Sequence, residues 1–78
     1  MAITLYSTEF CPWCHKTREF FKAHKVRFKE IDVGNNVKAA QEMIRRSGQQ
    51  GVPVVNINGE IVVGYDEDRL KRLLKIKR

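Results

Sequence analysis

The chain has 78 residues, 42% of them hydrophobic and 31% charged, with a formal net charge of +6. This length allows one domain, spanning residues 1–78, and the composition is that of a globular protein rather than a disordered segment. No apolar run approaches the roughly 18 residues of a membrane-spanning helix. The first six residues lack the basic and apolar regions of a signal peptide, so we expect a monomeric cytoplasmic domain with no membrane partner.

The first third of the chain predicts a strand followed by a helix. Ile3–Tyr6 is a short β-prone run, and Pro12 suits the first position of a helix because its missing N–H would be unpaired there. Five residues recur at helical spacing and predict one packed stripe: Trp13, Thr17, Phe20, Phe21 and His24.

The middle of the chain predicts an edge strand and a second helix. The segment Val26–Val33 predicts a second strand, and its four charged residues are typical of a strand at the edge of a sheet. Residues 34–36 then turn the chain and offer an N-cap to a helix over Val37–Ser47, which Gly48 ends.

The last third predicts a hairpin and a third helix. Asn58-Gly59 is a strong turn signal between two β-prone runs, Val54–Ile57 and Glu60–Val63, and Asp66 caps the helix that follows. The complete order is β-α-β-α-β-β-α. Because a helix joins the first two strands, we expect them to be parallel, with a right-handed crossover. An α/β fold with a four-stranded mixed sheet and helices on both faces accommodates this order.

The two cysteines lie three residues apart, in Cys11-Pro12-Trp13-Cys14, at the predicted junction of strand and helix. Cys11 falls at the N-cap, where unpaired N–H groups and the helix dipole stabilise an anion, so we expect its pKa to lie well below the usual ~8.5 of a thiol. Cys14 falls one turn inside the helix, within reach of Cys11 but less open to solvent. This asymmetry suits thiol–disulfide exchange, in which one sulfur attacks a disulfide and the other expels the product.

Two other chemistries fit the same cysteines. Cys11 and Cys14 followed by His15 match the pattern of covalent haem attachment, but haem binding here requires export, a mostly helical chain and an axial ligand such as Met43. A zinc site needs four ligands, and His24 lies about 15 Å along the helix from Cys14, too far to complete one. We therefore expect no metal site and no bound cofactor.

The positive charge is concentrated at the C-terminal end of the chain. Such a cluster could contact nucleic acid, but no aromatic residue lies between the cations to stack on bases, and cations suit the C-terminal end of a helix. We therefore expect a solvated helix end and no nucleic-acid partner. Six Lys and Arg residues lie in the last ten positions: Arg69, Lys71, Arg72, Lys75, Lys77 and Arg78.

Three motifs together resemble the glutaredoxin family. They are Cys11-Pro12-Trp13-Cys14 behind the first strand, Val52-Pro53 before the third strand and Gly64-Tyr65-Asp66 before the last helix. The resemblance covers essentially the whole chain, with the motifs in the family's order and spacing. It implies the minimal thioredoxin fold, which has the element order predicted above. It also implies an oxidoreductase that acts on protein disulfides and on glutathione mixed disulfides.

The resemblance implies a role for each residue of the motifs. Cys11 corresponds to the nucleophile and Cys14 to the resolving cysteine, while Pro53 corresponds to a cis proline that lies against the two sulfurs. The backbone of Val52 would then pair with the backbone of a bound thiol substrate. The other positions implied in binding glutathione or substrate are Pro12, Trp13, Gly64, Tyr65 and Asp66.

Three positions depart from the glutaredoxins that use glutathione. Thr8 stands where many carry a Lys or Arg that binds a glutathione carboxylate, Gly51 replaces a threonine, and Val63 replaces the first of two glycines. A sister group, the glutaredoxin-like hydrogen donors of ribonucleotide reductase, takes electrons from thioredoxin reductase, but its motifs match this chain poorly. We therefore expect glutathione as co-substrate and electron source, with thioredoxin reductase as the alternative.

Overall fold

The computed structural model describes residues 2–76, most of which lie in four strands and three helices. In chain order these are β1 (Ile3–Ser7), α1 (Pro12–Ala23), β2 (Lys29–Asp32), α2 (Val37–Ser47), β3 (Val54–Ile57), β4 (Glu60–Val63) and α3 (Glu67–Leu74). The predicted order β-α-β-α-β-β-α is confirmed, and with it the thioredoxin fold. Among residues 2–76, no helix combines the length and the apolar character needed to cross a bilayer.

The four strands form one mixed sheet in the order β2-β1-β3-β4. β1 pairs parallel with β2 and antiparallel with β3, and β3 pairs antiparallel with β4. The turn from β3 to β4 consists of Asn58 and Gly59, both with positive φ (52° and 95°), as a tight two-residue hairpin requires. β2 lies at an edge of the sheet, as its charged residues predict.

The two faces of the sheet pack against different helices, because successive residues of a strand point to opposite faces. The larger core cluster joins α1 and α3 to one face and includes Leu5, Phe20, Phe21, Val55 and Leu70. The smaller cluster joins α2 to the opposite face and contains Tyr6, Ala39, Met43 and Val54. The sheet is therefore covered on both sides, as predicted, and α1 is fixed against it by two buried phenyl rings.

Each helix begins at the residue that the sequence indicates. The side chains of Cys11, Asn36 and Asp66 cap α1, α2 and α3, and each accepts a hydrogen bond from a first-turn backbone N–H at 3.0–3.1 Å. Gly48 ends α2 in the left-handed conformation, with φ of 76°. These caps fix where α1 and α3 start, and both starting points border the site described below.

The second strand is shorter than predicted. It begins at Lys29 rather than at Val26, because Lys25 adopts a positive φ of 56° and the N–H of Val26 bonds back to the carbonyl of Phe21 at 2.8 Å. Val26 packs against the larger core cluster instead of joining the sheet. Pairing with β1 starts only where Lys29 lies opposite Thr4.

The packed stripe predicted for α1 is correct in its middle and wrong at its ends. Thr17, Phe20 and Phe21 are buried. Trp13 is 55% exposed, because it contacts Tyr65 at the rim of a cleft rather than packing on the sheet. His24 is only half-buried, with its ring against that of Phe20 at the end of the helix.

The C-terminal cationic cluster is described only in part, since residues 77 and 78 lie outside the described residues. Arg69 forms an ion pair with Glu60 at 3.6 Å, and Lys71 forms one with Glu67 at 3.1 Å. Acidic residues of the chain itself therefore partner two of these cations, and the absence of a nucleic-acid partner stays a prediction.

Candidate active site

The N-terminus of α1 holds both cysteines. Cys11 is the N-cap residue, with an extended backbone (φ −133°, ψ 104°), and Pro12 opens the helix. The backbone N–H of Cys14 donates to the Sγ of Cys11 at 3.1 Å. An N–H that no helical carbonyl accepts is thus aimed at the Cys11 sulfur, where it favours negative charge.

The two thiols, both unbridged, differ in their exposure and in their protonation. Cys11 is half-buried, whereas Cys14 has no exposed surface. Burial and, after it, the hydrogen bond with Cys11 raise the pKa of the Cys14 thiol to about 12. Cys14 is therefore protonated at neutral pH. The sulfur of Cys11 is therefore partly accessible to solvent, whereas the sulfur of Cys14 is buried and uncharged.

A cleft of about 240 Å³ opens beside these cysteines. Its walls come from the start of α1, the loop before β3 and the segment between β4 and α3. The Val52–Pro53 peptide bond is cis, and the Val52 carbonyl oxygen lies 4.0 Å from the Sγ of Cys11. The cleft is lined by five residues that the sequence predicted as site residues: Trp13, Val52, Pro53, Gly64 and Tyr65.

Gly64 shapes the floor of this cleft through its backbone. Its φ is +77°, a conformation that other residues rarely adopt, and its N–H donates to the carbonyl of Pro53 at 2.8 Å. No protein atom lies within 4 Å of the position that a Cβ would occupy. The conformation explains why a glycine stands here, and the space over it is open to a ligand.

Two aromatic rings form the apolar wall of the cleft. Trp13 and Tyr65 stack with their ring centroids 6.1 Å apart and their planes 24° from parallel. Phe20 of α1 meets the Tyr65 ring edge-on at 6.2 Å, and burial, followed by the charge of Glu67, raises the pKa of Tyr65. The Nζ of Lys16 lies 5.2 Å from the centroid of Trp13. The wall is therefore apolar, with a cation against one of its two rings.

Two predicted binding positions lie outside the lining of the cleft. Asp66 is exposed directly after Tyr65, and its carboxylate accepts the N–H of Arg69 at 3.1 Å. Pro12 is exposed next to Cys11. The predicted capping role of Asp66 is confirmed, while binding of a ligand by Asp66 or Pro12 stays a prediction.

The sequence reasoning missed a second cavity, which is polar and has a volume of about 500 Å³. Within it Arg18 donates hydrogen bonds to both carboxylate oxygens of Glu30, and Ser7 Oγ donates to Glu30 at 2.7 Å. Its lining residues are Ser7, Thr8, Glu9, Arg18, Glu30, Asp32 and Asn35. They come from the ends of β1 and β2 and from α1, so only the three-dimensional structure brings them together.

Phe10 is a further residue that the sequence reasoning missed. It immediately precedes Cys11, and its side chain is 90% exposed. The sequence signal that could have identified it is an aromatic residue in the loop immediately before the cysteine motif. A phenyl ring so open to solvent next to the accessible sulfur is available to a partner protein.

The geometry also bears on the haem and zinc alternatives. Haem attachment required a mostly helical chain, and the four-stranded sheet contradicts that requirement. Within residues 2–76, no three His, Cys, Asp or Glu side chains lie close enough together to hold a metal ion.

Known proteins share both the sequence and the fold. Residues 3–62 match the model of the glutaredoxin family. The chain belongs to the glutaredoxin family. An uncharacterized glutaredoxin-like 8.6 kDa protein from the rubredoxin operon of Clostridium pasteurianum is 41% identical over 73 residues, which cover 94% of this chain and 97% of that relative.

Two solved structures extend the comparison to three dimensions. A glutaredoxin from Archaeoglobus fulgidus is 33% identical and superposes with a TM-score of 0.88, over 96% of this chain and 88% of that one. NrdH-redoxin from Escherichia coli, a glutaredoxin-like protein with a thioredoxin-like activity profile, is 26% identical with a TM-score of 0.82, over 100% of this chain and 97% of that one. The family read from the three motifs is thereby confirmed, and this glutaredoxin is a thiol–disulfide oxidoreductase.

Proposed function

We propose that this glutaredoxin reduces protein disulfides and glutathione mixed disulfides, with Cys11 as the nucleophile and Cys14 as the resolving thiol. The observation that carries the proposal is the cleft beside the half-buried Cys11, with its apolar wall and with the Val52 carbonyl 4.0 Å from the Cys11 Sγ. Cys14 is buried and protonated, so it cannot make the first attack on a large substrate.

The cycle has two exchange steps. The Cys11 thiolate attacks one sulfur of the substrate disulfide, the old S–S bond breaks, and the departing sulfur takes a proton. Cys14 then loses its proton and attacks the Sγ of Cys11, which forms the Cys11–Cys14 disulfide and releases the second substrate thiol. Two molecules of a donor thiol supply the two electrons that restore both cysteines.

The same cleft suits a short peptide thiol such as glutathione. The backbone groups of Val52 can pair with an extended peptide whose sulfur meets Cys11, while Pro53 holds that loop against the sulfur. Trp13 and Tyr65 cover the apolar part of the ligand. The first N–H groups of α3 and the carboxylate of Asp66 lie next to Tyr65, where they can meet the charged ends of the ligand.

Lys16 offers the positive charge that Thr8 does not supply. Thr8 lines the polar cavity rather than the cleft, whereas the Lys16 ammonium lies against Trp13, which lines the cleft. An ammonium beside an apolar wall favours a ligand that carries a carboxylate. This arrangement supports glutathione as co-substrate, with no cofactor bound to the enzyme.

Thioredoxin reductase remains the second candidate for the electron source. The similarity to NrdH-redoxin favours it, and so do Thr8 and Gly51, which remove a charge and a hydroxyl from the glutathione pattern. A lost charge-assisted contact weakens binding by ~1.5–3 kcal/mol, or roughly ten- to a hundredfold. Both electron sources belong to reducing compartments, so we propose a cytoplasmic enzyme.

One coupled assay separates the two electron sources. NADPH oxidation is followed with a small disulfide substrate and either glutathione plus glutathione reductase, or thioredoxin reductase alone. We expect turnover with glutathione; turnover only with thioredoxin reductase would reject this part of the proposal. In that event, a gain of glutathione turnover in Thr8→Lys would identify the missing cation as the reason. A redox titration should give about −200 to −230 mV rather than the ~−270 mV of thioredoxin.

A further inference from the structure

The polar cavity contains an ion pair that the two exchange steps above do not use. The Nε of Arg18 donates to both carboxylate oxygens of Glu30, at 2.9 and 3.1 Å, and a second guanidinium nitrogen donates to the same carboxylate. Ser7 is buried, and its hydroxyl donates to Glu30 at 2.7 Å. The two charged side chains are only 25% and 29% exposed. The guanidinium is therefore held in one place by residues of β1 and β2.

The buried Cys14 lies on the same side of α1 as this guanidinium. Arg18 lies four residues after Cys14, so both side chains share one face of α1. The thiol faces Cys11 and the backbone of Thr8, and Arg18 is the cation that acts on it, in the direction that lowers its pKa. The guanidinium also lies 3.5 Å from the Nδ1 of His15.

The resolving step requires ionisation of the Cys14 thiol, which burial opposes. Cys14 must become a thiolate before it can attack, and burial is the main reason why its pKa stands at about 12. A nearby positive charge stabilises the anion that forms, and it acts more strongly on a buried sulfur than on one in water.

We propose that Arg18, anchored by Glu30, is a positioning residue that stabilises the negative charge developing on Cys14 in the resolving step. In that step the Sγ of Cys14 loses its proton to solvent, and the electron pair left on this sulfur forms the bond to the Sγ of Cys11. The bond from Cys11 to the substrate sulfur breaks, and its electron pair leaves with that sulfur, which takes a proton. The inference rests on the dithiol cycle and is independent of the electron source.

Two substitutions in the pair have different expected effects on the resolving step, which Arg18→Gln should slow and Glu30→Gln should not. Arg18→Gln removes the cation and leaves the Glu30 carboxylate, so the Cys14 thiolate becomes harder to form. Glu30→Gln removes the negative charge, while the amide oxygen of the new side chain still accepts a hydrogen bond from Arg18. An ion pair with only a structural role would respond to both changes in the same direction, because each removes one of its two charges.

A single-turnover experiment isolates the step. Reduced enzyme is mixed with increasing hydroxyethyl disulfide, and the fluorescence of Trp13 is followed by stopped flow. The phase that depends on disulfide concentration reports attack by Cys11, and the plateau rate reports resolution by Cys14. We expect Arg18→Gln to lower the plateau rate roughly three- to tenfold without changing the first phase, and Arg18→Lys to restore most of it.

A pH series and a matched control complete the test. In Arg18→Gln the rise of the plateau rate with pH should move to higher pH, because the variant lacks the positive charge that favours the Cys14 thiolate. Arg46→Gln breaks a comparable pair with Glu42, at 3.0 Å on α2, and should change neither phase.

Three results would overturn the inference. They are a plateau rate that Arg18→Gln leaves unchanged, an effect of this variant confined to the first phase, and a Glu30→Gln enzyme whose plateau rate is lowered. If Arg18→Gln does not fold, Glu30→Gln and Arg18→Lys decide alone, because both keep a hydrogen bond across the pair. An unchanged or raised plateau rate in Glu30→Gln, with a near-normal rate in Arg18→Lys, supports it. Failure of glutathione turnover would leave this result untouched.

Discussion

The apolar cleft and the polar cavity border the same helix, and they differ in the residues that line them. α1 contributes Trp13 to the cleft, beside the accessible Cys11. Five residues later it contributes Arg18 to the polar cavity, on the face that carries the buried Cys14. The two thiols differ in their surroundings because Cys11 caps the helix at its end, whereas Cys14 lies inside the first turn and is buried. In the proposed cycle, substrate binding and the second exchange step would therefore depend on different residues.

The largest effect should come from replacing each sulfur in turn. We expect Cys11→Ser to abolish all activity, because no other accessible thiol can attack. Cys14→Ser should abolish the reduction of protein disulfides and retain the release of glutathione from a mixed disulfide, which needs only Cys11. Both reactions are measured with the purified variants. A Cys14→Ser enzyme that still reduces protein disulfides would contradict the division of roles.

Truncating the cleft wall should have the next largest effect. Tyr65→Ala removes a ring that stacks on Trp13 and forms one side of the cleft, so the variant leaves that side open. We expect kcat/KM for a glutathione mixed disulfide to fall about tenfold, since a lost aromatic contact and its buried area cost ~1.5 kcal/mol. Phe10→Ala removes an equally large ring outside the lining and is the control for this small substrate. Equal losses in the two variants would show that the cleft is not the binding site.

The charge at the cleft should matter only for charged ligands. Lys16→Met should lower kcat/KM for a glutathione mixed disulfide by roughly three- to tenfold, because an exposed ammonium contributes a modest charge-assisted contact. The same variant should reduce uncharged hydroxyethyl disulfide at the normal rate. Lys22→Met, which removes an exposed cation farther along α1, serves as the control. A loss that is the same for both substrates would remove Lys16 from the proposed ligand site.

The effect of the polar cavity on folding stability should be the smallest. Hydrogen bonding from Arg18 and, after it, from Ser7 lowers the pKa of Glu30 below its usual 4.5, against the opposing effect of burial. A carboxylate with a lowered pKa in the folded state stabilises the fold above its unfolded pKa, and this contribution is lost as pH falls through the folded value. The free energy of unfolding in urea should therefore fall less steeply below pH ~4.5 in Glu30→Gln than in the unmodified protein. The difference should be less than about 1 kcal/mol, because the pair is partly exposed.

The control for that measurement is Glu42→Gln, in the exposed pair on α2. An acid dependence in Glu30→Gln identical to that of the unmodified protein would show that the polar cavity stores no such stability.

The cleft could be predicted from the sequence because short motifs encode its parts. The cysteine motif, Val52-Pro53 and Gly64-Tyr65-Asp66 each carry their own local structure, namely a helix start, a loop and a turn. The polar cavity could not be predicted in this way. Its central pair, Arg18 and Glu30, lies twelve residues apart, and it forms only because β2 pairs with β1 in one register. The predicted start of β2 was wrong because the chain leaves α1 through a positive φ at Lys25 and the N–H of Val26 bonds to Phe21.

The different roles of the two sulfurs are tested most directly by alkylation of the reduced, folded enzyme. The protein is treated at pH 7 with limiting iodoacetamide, and the modified positions are mapped by mass spectrometry. We expect the label on Cys11 alone, because Cys14 is buried and its pKa of about 12 keeps it a thiol, and we expect both cysteines to react in urea. Labelling of Cys14 in the folded enzyme as fast as that of Cys11, or faster, would contradict the assignment.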